Sequence, residues 1–197
     1  MLYAGMQTLT FAFDEQTDPN EFKLSELLLD SKDYNCFTAA NPFVKPSSTV
    51  FKLGYLEIFV NDLNNFRMLG LDGVNFTTLL AFDKDRFIIQ HTRGNKIKEI
   101  KLKDPSFAYS FNLGVGVVFP PDDVDIFGNP FVFYTFNGLL FGKLIPIRFS
   151  DVELFAKMSV KGTNVNIFEP NFGTKRFSFG GVIYDFSTYK DDDWRKL

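Results

Sequence analysis

Short apolar runs that alternate every second residue dominate the sequence. A period of two puts successive side chains on opposite faces, so each run describes a strand with one face on a core rather than an amphipathic helix. Leu9, Phe11 and Phe13 alternate with Thr8, Thr10 and Ala12, and in the run 54–60 the apolar face is Leu56, Ile58 and Val60. Leu154, Ala156, Met158 and Val160 alternate with Glu153, Lys157 and Ser159, and Val165 and Ile167 alternate with Asn164 and Asn166. The runs 114–119 and 131–136 are apolar on both faces, the pattern of central strands.

Turn chemistry separates these runs. Pro120-Pro121-Asp122-Asp123 closes one strand and Phe127-Gly128-Asn129-Pro130 precedes the next, which makes the two a hairpin. Asn137-Gly138 supplies two residues that tolerate positive φ, as a type I′ turn requires, before Leu139-Leu140-Phe141-Gly142. Lys161-Gly162-Thr163 divides the strand at 153–160 from the one at 164–168. One or two short helices are expected near the N-terminus. Asp18 offers an N-cap, Pro19 the first helical position and Glu21 the reciprocal cap, with Leu24, Leu27 and Leu28 on one face. The stretch 41–49 reads as a loop. Many short strands with regular turns predict an all-β antiparallel sandwich. The division is an N-terminal extension over 1–49, a strand and a short helix packed on the sandwich, and the sandwich itself over 50–197. At 197 residues the chain suits one domain that buries roughly 70% of its unfolded surface.

Composition removes several function classes. One cysteine, Cys36, and one histidine, His91, exclude an intrachain disulfide, a cysteine-rich zinc site and a metal site built on two histidines. Lys and Arg total 21 against 24 for Asp and Glu, a net charge of −3, which offers no excess of cations for phosphates or an anionic membrane. No apolar run is long enough for a membrane helix and no leader is legible at Met1. The expectation is an intracellular protein, cytoplasmic or nuclear, without cofactor, metal, nucleic acid, membrane or small-molecule substrate. Phenylalanine is the outlier at 26 residues, and aromatic enrichment favours pleated, half-buried surfaces.

Catalytic constellations are weak. His91 ends a predicted strand with no G-x-S-x-G elbow beside it, so it reads as a surface or strand-end histidine rather than a general base. Cys36 reads as a small buried apolar residue. The carboxylate groups Asp83/Asp85, Asp122/Asp123/Asp125 and Asp191/Asp192/Asp193 lack the glycine and closing glutamate of a calcium loop. Gly114 and Gly116 sit in a continuing strand and mark close packing, not a phosphate cradle. The run 96–103, whose four lysines alternate imperfectly, reads as an exposed, charged edge strand.

The order of strands carries a resemblance. Phe133-Tyr134-Thr135-Phe136-Asn137-Gly138-Leu139-Leu140-Phe141-Gly142 resembles the F-(F/Y)-T-x-N-G-x-x-x-G signature of SPRY domains. Asn112-Leu113-Gly114-Val115-Gly116-Val117 is similar to the family's G-D-x-(I/V)-G strand, with Asn112-Leu113 in place of Gly-Asp. Glu153-Leu154-Phe155-Ala156-Lys157-Met158 is similar to L-Y-P-x-(V/I), with Ala156 in place of proline, and Val165-Asn166-Ile167-Phe168 with Asn171-Phe172-Gly173 stands for V-x-x-N-F-G. Gly54-Tyr55-Leu56-Glu57-Ile58 is similar to the opening Y-(F/Y)-E-(V/I) strand. Phe177-Ser178-Phe179, Tyr184-Asp185-Phe186, Tyr189 and Trp194-Arg195 resemble the tail of Ran-binding-protein-M-like SPRY domains, apart from an insertion at Gly180-Gly181. The resemblance spans 50–197; over 61–110 the family's G-Y-x-x-D-G segment is absent.

The resemblance implies a bent β-sandwich, a concanavalin-like jelly-roll, acting as a non-catalytic adaptor. Such a module binds a peptide or folded protein partner through rim loops, as a substrate or scaffold subunit of a ubiquitin ligase or a similar assembly. Mapped onto this chain, partner contacts fall at the turn Lys161, Gly162 and Thr163 and at Arg67, Asp83, Lys84 and Arg86. They form a shallow polar rim with one or two apolar anchors. Asn137, Gly138, Gly142, Asn171, Phe172 and Gly173 are the structural motif. Two alternatives stay open: a carbohydrate-binding, lectin-like jelly-roll, and a secreted effector on the same scaffold. The lone Trp194 reads as packing for the tail rather than as a sugar platform.

Overall fold

The computed structural model describes residues 9–10, 22–24, 34–45, 47–83, 86–94, 96–103, 110–121, 129–147, 153–162, 165–183, 187–190, 193 and 195–196. Its strands are β1 (Leu9–Thr10), β2 (Phe22–Leu24), β3 (Tyr34–Ala39), β4 (Phe43–Val44), β5 (Lys52–Val60), β6 (Phe66–Asp72), β7 (Phe76–Asp83) and β8 (Arg86–Arg93). They continue with β9 (Lys96–Lys101), β10 (Phe111–Phe119), β11 (Phe131–Phe136), β12 (Leu139–Leu140), β13 (Ile145–Pro146), β14 (Glu153–Lys161), β15 (Val182–Ile183) and β16 (Arg195–Lys196). The smaller sheet runs β12-β11-β10-β5, with β13 also on β11. The larger runs β16-β9-β8-β7-β6-β14-β3-β2, with β4 on β14, and β1 pairs separately with β15. The strand pairings are antiparallel, and the chain is an all-β, two-sheet protein.

The alternation sets which face is buried. Leu56, Ile58 and Val60 of β5 and Leu113, Val115 and Val117 of β10 meet Leu69 and Leu71 of β6 and Leu154, Ala156, Met158 and Val160 of β14 in one core. The phenylalanines knit the sheets together. Phe87 meets Phe111 and Phe141 edge-on at 6.2 and 5.5 Å, and Phe111 stacks on Phe136 at 4.9 Å. Each such pair adds roughly 0.5–1.5 kcal/mol beyond burial. Tyr134 is wholly buried among them, and its hydroxyl lies 3.2 Å from Thr78 Oγ1 on the opposite sheet. Desolvation pushes that phenol far above its ordinary value, so it stays a neutral hydrogen-bonding group.

Five sequence expectations change. Phe22–Leu24 is a strand, not part of a helix, because it pairs with the edge of β3 through Phe22↔Ala39 and Leu24↔Phe37. That ladder satisfies the backbone on both strands, which a local capping pattern does not anticipate; residues 18–21, Leu27 and Leu28 lie outside the described residues. Val165–Phe168 is a 3-10 turn instead of a strand. It drops Phe168 into the core and leaves Ile167 exposed. The stretch 41–49 is not all loop: β4 pairs with β14 and buries Phe43. β9 is not the outermost strand, since β16 pairs with Lys98 and Glu99. His91 lies two residues from the end of β8, as a strand-end histidine should, but it is a half-buried ring tilted against Phe76 at 5.9 Å rather than a surface side chain.

The segment 1–49 contributes to the larger sheet. β3 lies between β14 and β2, and Phe37, Ala39 and Phe43 belong to the same core as the strands of the sandwich. Cys36 is buried on the other face of β3, beside Met68 and Ala81. Phe11, Phe13, Asp122, Asp123, Asp125 and the tail residues Tyr184, Asp185, Phe186 and Trp194 lie outside the described residues.

Candidate functional site

Strand register gathers the sequence-predicted contact residues at one end of the larger sheet. Asp83 pairs with Arg86 where β7 turns into β8. On β6, Phe66 pairs with Val160 while Met68 pairs with Ser159, so Arg67 is the extra residue of a bulge. A bulge redirects its side chain, and Arg67 stands exposed with Nη1 donating to the Phe82 carbonyl at 3.2 Å and to Asp83 Oδ1 at 3.4 Å. On the neighbouring strand Lys161 is exposed and pairs with Tyr34. Gly162 follows at φ 84°, its carbonyl accepting from Asn35 Nδ2 at 3.0 Å. Asp62 caps the adjoining 3-10 turn, Leu63–Asn65, by accepting from the Asn64 amide at 2.9 Å, and Tyr34 donates to the Asn64 carbonyl at 3.3 Å. Arg67, Asp83, Arg86, Lys161 and Gly162 therefore share one polar rim. Lys84 and Thr163 lie outside the described residues. The Arg67–Asp83 pair is open to water, so it orients the guanidinium more than it stabilises the fold.

The predicted structural motif sits on the smaller sheet. Asn137 and Gly138 have φ of 48° and 77°, and the turn joins Phe136 to its partner Leu139. Asn137 is also tied sideways: its amide donates to the Asn112 carbonyl and its Oδ1 accepts from the Asn112 amide, both at 2.8 Å. Gly142, at φ 87°, lies against the Tyr189 hydroxyl. Asn171 organises the loop after β14. Its Oδ1 accepts from the amides of Gly173 and Lys175 at 3.0 Å, and its Nδ2 donates to the Lys175 carbonyl at 2.9 Å. Phe172 anchors that loop in the core at 6.4 Å from Phe43, and Gly173 turns it at φ 116°.

This loop covers a polar network that the sequence reading missed. Glu57 interrupts the apolar run of β5, and its side chain is buried on the face away from the core. Both carboxylate oxygens accept from the Ser178 amide, at 3.0 and 3.1 Å, and Oε2 also accepts from the Tyr55 hydroxyl at 3.4 Å. Tyr55 Oη lies 2.6 Å from Thr135 Oγ1, and Asn112 Nδ2 donates to Ser178 Oγ at 2.6 Å. Burial first, then the neighbouring Glu57, pushes the Tyr55 phenol far above its ordinary value. Beside the network opens a cavity of about 300 Å³ lined by Glu57, Phe59, Asn112, Asn171, Arg176 and Ser178 among others. A lone glutamate within an apolar strand was the available signal.

A further ion pair lies within the larger sheet. Lys157 is nearly buried and its Nζ donates to Asp72 Oδ2 at 2.9 Å, while Thr77 Oγ1 donates to the other carboxylate oxygen. No group of three or more His, Cys, Asp and Glu among the described residues is arranged to hold a metal. No helix among them is long and apolar enough to cross a membrane. Neither a family model nor a curated protein matches the chain.

Proposed function

We propose that this chain is a non-catalytic interaction module of the SPRY type, holding a protein partner on the rim of its larger sheet. The observation that carries the reading is the convergence of Arg67, Asp83, Arg86, Lys161 and Gly162 on one end of that sheet. Loops on a rigid sheet offer recognition at little ordering cost, since the scaffold is fixed before the partner arrives. Among the described residues of the rim, Arg67, Arg86 and Lys161 outnumber Asp62 and Asp83, so the rim suits a partner surface with acidic groups. An adaptor role in a ubiquitin ligase or a similar assembly, in the cytoplasm or nucleus, follows from the same likeness. The test is affinity capture by the whole chain and by folded Lys161→Glu and Asp83→Lys variants, read by mass spectrometry. Partners lost by both variants support the rim. Equal capture by all three removes it, and specific retention on a glycan array puts the lectin reading first.

A further inference from the structure

The outer edge of β5 lies on the other sheet from the rim. In an antiparallel ladder, residues turn their backbone N–H and C=O alternately to the two sides of the strand. Glu57 exchanges both groups with Asn171, at 3.0 and 2.8 Å, on the side away from β10. Phe59, two residues on, turns its N–H and C=O to that same side. Antiparallel continuation of the Glu57↔Asn171 bridge would set Glu169 opposite Phe59. Glu169 instead has φ 44°, which takes the chain off the extended path, and the next residue is Pro170. β5 ends its sheet, and no described residue pairs with Phe59 on that side.

The cavity described above opens at this vacated position. Phe59 is half-buried in its wall and Asn112, its cross-strand neighbour on β10, lies beside it. The charges are unevenly committed. Lys175 pairs with Glu169 at 3.2 Å, and the Glu57 carboxylate is held by the Ser178 amide and the Tyr55 hydroxyl. Arg176 is exposed and has no partner among the described residues. Ser178 Oγ accepts from Asn112, so its own proton is available to a ligand.

We propose that this edge binds an extended peptide, which pairs with β5 at Phe59 and sets an acidic side chain against Arg176. The residue opposite Phe59 shares its face, which is the cavity side, so backbone pairing and side-chain recognition occur together. The site is independent of the rim at Arg67 and Lys161.

The probe is a set of short random peptides displayed on phage, selected on the whole chain and resynthesised. Enriched peptides carrying Asp or Glu are expected. Arg176→Glu weakens them by about tenfold or more, and a peptide with Lys at the acidic position recovers on that variant. Phe59→Pro removes an N–H that takes no part in the ladder with β10, and it weakens binding beyond Phe59→Ala, which loses only the ring. Lys161→Glu and Asp83→Lys leave the affinity unchanged, so failure here and failure of the rim are read separately. Should Phe59→Pro not fold, the exposed Arg176→Glu with its charge-swapped peptide carries the test. Absence of enrichment over the bare support overturns the proposal, as does binding indifferent to Arg176→Glu and Phe59→Pro.

Discussion

His91 links one side chain to the pH dependence of the whole chain. Desolvation, then the charges of Arg93 and Lys98, hold its imidazolium down to about 4. Its folded pKa lies below the unfolded value of about 6.5, so the unfolded chain takes up the proton first. The stability that comes from keeping the ring neutral is therefore complete above pH 6.5 and is lost as the pH falls through that value towards 4. His91→Gln has no such group to titrate. Urea unfolding at pH 7 and pH 4.5 should show the stability gap between wild type and variant shifting by about 2 kcal/mol in the variant's favour at the lower pH. Carboxylates titrate in both proteins and largely cancel in that comparison. A gap that is the same at both pH values would mean that the ring is hydrated. The tyrosines Tyr55 and Tyr134 make no contribution in this range, because burial moves both phenols upward, away from neutrality.

The turn between β11 and β12 is the clearest case of an element written locally. Asn137 and Gly138 both need positive φ, and a Cβ on Gly138 would also collide with the Ser178 carbonyl. Gly138→Val should cost roughly 1–3 kcal/mol from backbone strain alone. The collision with Ser178 adds to that, which lowers the melting temperature and loosens the loop over Glu57; an unaltered melting temperature would contradict both contacts. Elements of this kind were legible in the sequence. Alternation fixed the inward faces of β5 and β14, two-sided apolarity placed β10 and β11 in mid-sheet, and Asn137-Gly138 marked its own turn. The elements that were misread depend on distant partners. Phe22–Leu24 becomes a strand only because the edge of β3 is open to it, and β4 exists only against the start of β14. Asp18, Pro19 and Glu21 spell a helix start whatever the rest of the chain does. At the sites, Asp83 and Arg86 were reached through the resemblance carried by the motifs, not through a local pattern of their own. The network around Glu57 was invisible because its acceptor and donor, Glu57 and the Ser178 amide, are 121 residues apart.

On the scale of the whole molecule, the order of strands in the larger sheet ties the two ends of the chain together. β14 lies between β6 and β3, so a strand from the last quarter of the chain is flanked by one from the first quarter. β3 is paired over five positions, Lys157↔Thr38 to Lys161↔Tyr34, and β4 adds two more at the start of β14. Phe37, Ala39 and Phe43 are each buried in the common core. A fragment starting at residue 50 would leave one side of β14 as a long unpaired edge with apolar side chains exposed beside it, the condition that favours aggregation. It would also leave cavities where three core residues stood, and one large core residue alone is worth about 2–5 kcal/mol, against a total stability of roughly 5–15 kcal/mol. The 50–197 fragment is therefore expected to lose its cooperative thermal transition and its near-ultraviolet circular dichroism, while the full chain unfolds in a single step. A synthetic peptide spanning 34–45, added to the freshly diluted fragment, should restore part of that signal, because it supplies β3 and β4 to the open edge of β14. If the fragment alone melted as sharply as the full chain, the sheet order would have to be wrong at β3.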